Sequence, residues 1–283
     1  MTTEAGQGSE TLIAAVAQLA STDSTRANID AIRDLATQAR ARGANLVIFP
    51  EAASYAFDSS PETLSRIARE EGALFRDSLS DIARDLGLYI VAGMYAEGED
   101  ELSENRLIVM GPDGTEQGNY QKLHLYDAFH YRESDKNAVA PLKQGFGELV
   151  LFDIGVFRFG LINCYDLRFP EMARALVEQG ANALIVCAGW VAGPLKELHW
   201  ETLLRARAIE NTSYVLASSQ PAPRSAGLSM VVDPSGLVLG TVASDRGIAT
   251  AELSIGHLKA VRTVLPCLDH CRYRIAQRAG TAA

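Results

Sequence analysis

The stretch that decides the fold reads Tyr89-Ile90-Val91-Ala92, an apolar run that recurs as Tyr214-Val215-Leu216-Ala217. Each run predicts a strand, and in each half a second predicted strand and then a tight turn follow. The two turns are alike, Gly111-Pro112-Asp113-Gly114 in the first half and Asp233-Pro234-Ser235-Gly236 in the second. We therefore predict an internal duplication, in which two α/β halves follow one another. Two unrelated α/β segments with ordinary turns are the alternative, because short matches arise easily.

Outward from these runs, short apolar segments alternate with helical patterns. Further strands are predicted at residues 12–17, 46–49, 88–94, 106–110, 157–162, 183–187 and 229–232. Helices are predicted from Ser24 to about Gly43, from Phe75 to Leu86, from Pro170 onward and around Trp200. This alternation is typical of an α/β fold.

The domain organisation follows from the absence of a linker. No Ser/Gly-rich or Pro-rich segment separates the two halves, so we expect one domain over residues 11–275. Residues 1–10 are small and polar and are predicted to form a disordered tail. Residues 276–283 are predicted to form a flexible C-terminal tail.

Composition excludes several classes of protein. The 283 residues are 47% apolar, which excludes general disorder, and 35 acidic against 26 basic side chains disfavour a nucleic-acid partner. The longest wholly apolar or glycine run, residues 183–193, is shorter than the roughly 20 residues of a membrane span. The first basic residue is Arg26, so a signal peptide is not expected. Four cysteines make no disulfide framework. We expect a cytoplasmic protein with neither a nucleic-acid nor a membrane partner.

Polar residues that could carry chemistry stand where predicted strands end. Glu51, Lys122 and Cys164 each follow such a strand, and Glu133 lies in the irregular stretch 127–142. Ligands of α/β proteins bind at the carboxyl ends of strands. A carboxylate, an ammonium and a thiol gathered there would supply a base, an electrostatic stabiliser and a nucleophile. Taken singly, each also fits a plain structural role as a solvated loop residue, a surface charge or a small buried side chain.

Three motifs in order resemble those of the nitrilase, or carbon–nitrogen hydrolase, superfamily. They are Phe49-Pro50-Glu51, Lys122-Leu123-His124-Leu125 and Asn163-Cys164-Tyr165-Asp166-Leu167-Arg168-Phe169-Pro170-Glu171. The resemblance extends from about Leu12 to about Arg274. It implies a four-layer αββα sandwich with internal pseudo-two-fold symmetry, which agrees with the predicted duplication.

The resemblance also implies roles for the polar residues. Glu51 resembles the general base of the family, Lys122 its oxyanion-stabilising lysine and Cys164 its nucleophile. The family uses a second glutamate between the lysine and the cysteine, and Glu133 resembles it better than Glu148, which precedes a predicted strand. This chemistry needs neither a metal nor a cofactor.

The expected substrate also follows from the resemblance. Tyr165-Asp166 resembles the amidase branches, and the C-terminal half resembles the branch of ω-amidase and deaminated-glutathione amidase. Arg168 resembles an arginine that contacts a substrate carboxylate in some relatives, although an ion pair with Asp166 or Glu171 is the structural alternative. Trp190 departs from the phenylalanine common in the family and is expected to line the pocket. We expect a small linear amide that carries a carboxylate.

Other functions stay open at this point. A nitrilase, an N-carbamoyl hydrolase or a catalytically silent metabolite-binding or assembly protein would use the same fold. A papain-like pair of Cys164 with His199 is formally possible. We expect no metal site, because the spacing of the remaining candidates is not that of a zinc site: Cys267, His270, Cys271 and His257. The resemblance implies a homodimer or a larger homo-oligomer.

Overall fold

Two six-stranded β-sheets lie face to face at the centre of the computed structural model, which describes residues 10–278. The first sheet contains β1 (Thr11–Gln18), β2 (Leu46–Ile48), β3 (Tyr89–Glu97), β4 (Ser103–Met110), β5 (Glu116–Gln121) and β14 (Gly247–Ser254). The second contains β8 (Leu151–Ile154), β9 (Phe157–Asn163), β10 (Ala183–Ala188), β11 (Tyr214–Ser219), β12 (Met230–Val232) and β13 (Val238–Thr241). A small hairpin joins β6 (Asp127–Ala128) to β7 (Tyr131–Arg132).

Helices cover the outer face of each sheet. They are α1 (Thr25–Ala41), α2 (Pro61–Leu86), α3 (Pro170–Glu178), α4 (Lys196–Asn211) and α5 (Ile255–Val264). The first two pack on the first sheet, and α3 and α4 pack on the second. The layers therefore run helix, sheet, sheet, helix, and the αββα sandwich is confirmed.

The strand order confirms the internal duplication. The first sheet runs β14-β1-β2-β3-β4-β5 and the second runs β8-β9-β10-β11-β12-β13. In both sheets the first pair is antiparallel, the next two are parallel and the last two are antiparallel. The two tyrosine runs belong to β3 and β11, which occupy equivalent places, and each half carries one register shift between its last two strands.

The side chains of strand β1 pack alternately on the two faces of the first sheet. Leu12, Ala14 and Val16 face the second sheet, while Ala15 and Ala17 face the helices. This alternation follows from the two-residue period of a strand. Because both faces are buried, the strands read as nearly continuous apolar runs.

Helix α2 is longer than predicted. It begins at Pro61, where the Ser60 side chain caps it, and it ends at Leu86 before the left-handed Gly87. The prediction began only at Phe75, because Glu70-Glu71-Gly72 interrupts the apolar period. The missed first half packs against a separate small cluster, which includes Leu64, Ile67, Ala68, Tyr55 and Tyr95.

The two predicted tails fall largely outside the described residues, which exclude 1–9 and 279–283. Of the residues that are described, Glu10 accepts a hydrogen bond from the Ile255 N–H through its backbone oxygen. The Gln277 side chain donates to Glu148 at 2.8 Å. Between residues 10 and 278, no helix has both the length and the apolar character required to cross a bilayer.

Candidate active site

The loops after β2 and β9 bring Glu51 and Cys164 together between the two sheets. Cys164 begins a 3₁₀ turn, Cys164–Arg168, and has a left-handed backbone with φ 51°. Ala52, directly after Glu51, is also left-handed, with φ 55°. Such angles are costly for residues other than glycine and often occur where a side chain must be aimed at a site.

A buried lysine links two glutamates at the base of the site. Lys122 Nζ lies 2.8 Å from Glu51 Oε1 and 2.7 Å from Glu133 Oε2. The lysine is only 1% exposed, and both glutamates are also buried. A buried charge is stable only when it is paired and hydrogen-bonded, and this arrangement meets that condition.

Asn105, on β4, connects the same two glutamates a second time. Its Nδ2 donates to Glu51 Oε1 at 2.8 Å and to Glu133 Oε1 at 2.9 Å. Its Oδ1 accepts a bond of 2.9 Å from Asn163 Nδ2, which fixes the orientation of the amide. The two carboxylates are therefore held at a set distance by a lysine and by an asparagine.

Burial and the neighbouring charges of the cluster shift the pKa values of Glu51 and Lys122. Burial alone would raise the pKa of Glu51, but the Lys122 ammonium and hydrogen bonds from Lys122, Cys164 and Gly189 bring it below its ordinary value. Burial alone would lower the pKa of Lys122, but Glu133 and Glu51 raise it well above its ordinary value. Glu51 is therefore a carboxylate and Lys122 an ammonium near neutral pH.

The pKa of the Cys164 thiol is raised, whereas that of Glu51 is lowered. Burial raises the pKa of Cys164 well above the ordinary value, and the negative charge of Glu51 raises it further, while Lys122 opposes the change. The resting site therefore contains a protonated thiol beside an ionised carboxylate. This pair can pass a proton from sulfur to Glu51 as the sulfur attacks an electrophile.

All seven residues predicted for the site line one cavity. They are Glu51, Lys122, Glu133, Cys164, Tyr165, Arg168 and Trp190. Glu148, the other candidate for the second glutamate, lies outside the cavity and accepts from the Lys143 N–H at 2.9 Å. His199, the candidate papain-like partner of Cys164, is also outside the lining.

Arg168 does not form the ion pair that was its structural alternative. Within residues 10–278, no carboxylate lies within 4.0 Å of its guanidinium nitrogens. The nearby Asp166 instead accepts from Tyr120 Oη at 2.6 Å and contacts His124 Nδ1 at 2.7 Å. The guanidinium lies over the Trp190 ring, with Cζ 4.7 Å from the ring centroid.

The described part of the chain holds no group of three or more His, Cys, Asp or Glu side chains arranged to bind a metal ion. His124 pairs with Asp166 and stacks on Phe169 at 3.7 Å between ring centroids. Cys267 and Cys271 are free thiols, and His257 contacts Asp233 at 3.0 Å.

Sequence reasoning missed several residues that line the site, among them Asn105, Tyr126 and Lys196. Asn105 lies within strand β4 and stands in no motif. Asparagine is disfavoured within strands, so its presence there was the one sign of a special role. Tyr126 lies in the loop before β6 and Lys196 is the first residue of α4, and Lys196 Nζ donates to Tyr126 Oη at 2.9 Å. No pattern in the sequence indicates that this loop meets the start of α4.

Fold and site together define a class of protein: a hydrolase on an αββα sandwich that acts on carbon–nitrogen bonds other than peptide bonds. The chain belongs to the carbon-nitrogen hydrolase family, whose sequence pattern matches residues 13–263. It is 31% identical over 266 residues to the deaminated glutathione amidase of Escherichia coli O157:H7, covering 93% of this chain and 98% of the relative. It is 32% identical over 281 residues to the deaminated glutathione amidase of Bos taurus, covering 93% and 83%.

A solved structure supports the same assignment of the fold. Saccharomyces cerevisiae Nit3, a member of branch 10 of the nitrilase superfamily, superimposes with a TM-score of 0.82. The two chains are 24% identical, and the match covers 95% of this chain and 99% of Nit3. The family match and the two amidase relatives make the chain an amidohydrolase of the carbon-nitrogen hydrolase family.

Proposed function

We propose that this enzyme hydrolyses a small linear amide through a thioester at Cys164. The observation that carries the proposal is the buried cluster of Glu51, Lys122 and Glu133 beside the cysteine, with Lys122 Nζ within 2.8 Å of both carboxylates. Such a cluster gives the thiol a base and gives the reacting carbonyl a positive charge.

In the first step, the Cys164 sulfur attacks the amide carbon and its proton passes to Glu51. The Lys122 ammonium offsets the negative charge that develops on the carbonyl oxygen. Glu51 then returns the proton to the nitrogen, the carbon–nitrogen bond breaks and ammonia or an amine leaves. The acyl group remains on sulfur as a thioester.

In the second step, water attacks the thioester and Glu51 again takes a proton. The carbon–sulfur bond breaks, the thiol regains its proton and a carboxylic acid leaves. Glu133 keeps Lys122 in place throughout, since its Oε2 accepts both from Lys122 Nζ and from the Tyr126 N–H, each at 2.7 Å. Positioning of this kind lowers the barrier without direct participation in the reaction.

The substrate class is a linear amide that carries a carboxylate, of the ω-amide type. Arg168 supports this choice, because its Nε and Nη2 are buried and find no hydrogen-bond partner within residues 10–278. A guanidinium binds a carboxylate with two parallel hydrogen bonds. Tyr165 and Trp190 would shape the pocket around the chain of the acid. The names of the E. coli and bovine relatives, both amidases, agree with this class.

The test is ammonia release from glutaramate, butyramide and butyronitrile, which are an acidic amide, a neutral amide and a nitrile. We expect glutaramate to be hydrolysed fastest. Cys164→Ala should lose at least about a thousandfold in turnover, because the nucleophile is gone. The matched control is Cys187→Ala, since Cys187 is also buried but lies outside the cavity lining.

Three results would overturn the proposal. Activity retained in Cys164→Ala, with its fold checked by circular dichroism, would refute the thioester. Faster hydrolysis of butyramide than of glutaramate would refute the acidic substrate. Faster hydrolysis of butyronitrile would place the enzyme with the nitrilases.

We also propose a cytoplasmic homodimer or larger homo-oligomer. All four cysteines are free thiols, which supports a reducing compartment. Exposed apolar side chains on α4 and the β12–β13 turn support self-association, with Leu198 59% and Leu237 61% exposed. Light scattering after size-exclusion chromatography tests the oligomer, and a monomeric mass at micromolar concentration would refute it.

A further inference from the structure

Asp166 stands two residues after Cys164, in the 3₁₀ turn that the cysteine begins, but it does not line the cavity. The residue is only 1% exposed. A buried carboxylate is costly unless hydrogen bonds replace its contacts with water. The reaction steps proposed above give Asp166 no part, so the groups that donate to its carboxylate indicate its role.

One of these groups belongs to the turn that carries the nucleophile. The N–H of Asn163, directly before Cys164, donates to Asp166 Oδ2 at 3.1 Å. This bond closes the start of the 3₁₀ turn in the manner of a capping box. The left-handed backbone of Cys164, with φ 51°, is costly and persists only where its surroundings restrain it. The Asp166 carboxylate supplies such a restraint directly beside the nucleophile.

The same carboxylate contacts the segment that carries Lys122. Tyr120 Oη donates to Asp166 Oδ2 at 2.6 Å, and the His124 N–H donates to Asp166 Oδ1 at 3.0 Å. The ring of His124 adds a contact, since its Nδ1 lies 2.7 Å from Oδ1. Tyr120 and His124 lie two residues before and two residues after Lys122. The contacts of Asp166 therefore flank the lysine on both sides.

These two segments come from different sheets. Lys122 follows β5 of the first sheet, and Cys164 follows β9 of the second. In the proposed reaction, the Lys122 ammonium stabilises the negative charge on the oxygen of the carbonyl that Cys164 attacks. The stabilisation depends on the position of the ammonium relative to the sulfur, so a displacement of one sheet against the other would weaken it.

A ring stack strengthens the same junction. The His124 ring lies on the Phe169 ring, with the centroids 3.7 Å apart and the planes 10° from parallel. Phe169 directly follows the 3₁₀ turn, and its N–H donates to the Asp166 backbone oxygen at 3.0 Å. The lysine segment thus contacts both the middle and the end of the nucleophile turn.

We propose that Asp166 is a positioning residue, which fixes Cys164 relative to Lys122 through its contacts with Tyr120 and His124. This inference rests on the proposed amide hydrolysis, and it adds to it the group that sets the geometry between nucleophile and ammonium. Because Asp166 lies outside the cavity lining, its loss should slow the chemical step and leave substrate binding unchanged.

The test is the kinetics of Asp166→Asn with glutaramate. Asparagine keeps the shape, but in either orientation its NH₂ group faces a backbone N–H, that of Asn163 or that of His124. We expect kcat to fall about thirtyfold while KM stays within about twofold, as for an interaction that matters only in the transition state. Tyr120→Phe keeps the buried charge and removes one contact, so kcat should fall about threefold.

The matched control is Asp233→Asn. Asp233 is also buried, and its Oδ1 accepts from the Ser235 and Leu237 N–H groups at 2.9 and 2.8 Å. Its Oδ2 lies 3.0 Å from His257 Nε2, outside the cavity lining. The two variants should lower Tm by similar amounts, but Asp233→Asn should leave kcat within about twofold. An equal fall of kcat in both variants, or an unchanged kcat in Asp166→Asn, would overturn the proposal.

A structural measurement separates this inference from the proposed reaction. Crystal structures of the wild type, Asp166→Asn and Tyr120→Phe need no turnover. We expect the distance from Cys164 Sγ to Lys122 Nζ to change by at least about 0.5 Å in Asp166→Asn, which exceeds the tolerance of a working site, and by less in Tyr120→Phe. This change supports the positioning role even if the wild type does not hydrolyse glutaramate. An unchanged distance in both variants refutes the role, even if amide hydrolysis at Cys164 stands.

Discussion

Glu51 is the residue that determines the chemistry of the site. It accepts hydrogen bonds from Lys122, Asn105 and the Gly189 N–H, at 2.7 to 2.8 Å. These donors favour its charged form, so Glu51 stays a carboxylate, whereas the buried Cys164 beside it stays a thiol. In the proposed mechanism, the proton is thus on sulfur before the reaction begins and passes to Glu51 during the attack.

The first prediction concerns the protonation of Cys164. Because its pKa is raised, the thiolate should appear only above about pH 8.5, the ordinary cysteine value. The measurement is thiolate absorbance near 240 nm against pH, taken as the difference between wild type and Cys164→Ala. A thiolate already formed at pH 6 to 7 would contradict this account and favour a preformed ion pair of the papain type.

The second prediction concerns Asn105, which touches both glutamates. Asn105→Leu removes both donors and leaves Asn163 Nδ2 without its acceptor. We expect kcat to fall about a hundredfold with little change in KM, because misplacement of the base by even about 1 Å can cost this much.

The control for Asn105 is Asn119→Leu. Asn119 lies on the neighbouring strand β5 and accepts from Arg106, away from the cavity. Its substitution should leave kcat within about twofold, as expected for a position outside the site. An equal fall in both variants would mean that Asn105 acts only on stability.

Among the elements of the fold, the turn after β2 is the one that positions Glu51, the proposed base. Pro50 and Ala52 flank Glu51, and this turn runs so close to β3 that a side chain on Gly93 would not fit. A Cβ there would lie 2.5 Å from Ala52 N and from Glu51 Cα. A hydrogen bond holds this turn against β3, because the Gly93 N–H donates to the Pro50 backbone oxygen at 3.0 Å.

The third prediction compares two glycines near this turn. Gly93→Ala should displace the turn after β2. We expect it to lower the free energy of unfolding by about 1 to 3 kcal/mol and to remove most of the activity. Gly72→Ala, inside α2, meets its nearest atom at an ordinary 3.5 Å and should stabilise by about 0.5 to 1 kcal/mol. Urea unfolding of both variants is the measurement. A neutral Gly93→Ala would show that the close approach does not hold Glu51.

The elements differ in how far the sequence predicts them. Strands such as β10 and β11 were predicted to within two residues, because a strand buried on both faces is a bounded apolar run. Strand β14 was missed, since Gly247–Ser254 mixes small, polar and apolar residues without a bounded apolar run and owes its place to pairing with β1. The first half of α2 was missed because it packs on a separate cluster.

The residues of the candidate site also differ in how far the sequence predicts them. Glu51, Lys122, Glu133 and Cys164 could be selected because they stand in motifs that resemble those of a family. Asn105 and Lys196 could not, because their contacts with Asn163 and with Tyr126 join the two halves of the chain and not neighbours in sequence.

In the molecule as a whole, the two sheets share one core. Leu46 and Val91 of the first sheet and Leu161 and Ile185 of the second belong to the same buried cluster. Polar contacts also join the sheets, since Gln18 Oε1 accepts from Ser229 Oγ at 2.9 Å. The proposed catalytic cluster lies across this interface, with Cys164 following β9 of the second sheet and Glu51 following β2 of the first.

The fourth prediction follows from the shared core. Thermal unfolding should be a single transition, in which the calorimetric and van't Hoff enthalpies agree. Leu46→Ala and Leu161→Ala, one from each sheet, should each cost about 2 to 5 kcal/mol and should lower the same transition. Two transitions that respond separately to the two variants would mean that the halves are independent domains.

The most direct test of the central claim is the mass of the enzyme during turnover. Wild-type protein mixed with glutaramate, quenched in acid within milliseconds and analysed intact should carry one glutaryl group. Peptide mapping should place this group on Cys164 and not on Cys187, Cys267 or Cys271. An acyl group on any other residue, or steady turnover with no acyl-enzyme in the wild type and undiminished activity in Cys164→Ala, would contradict the account.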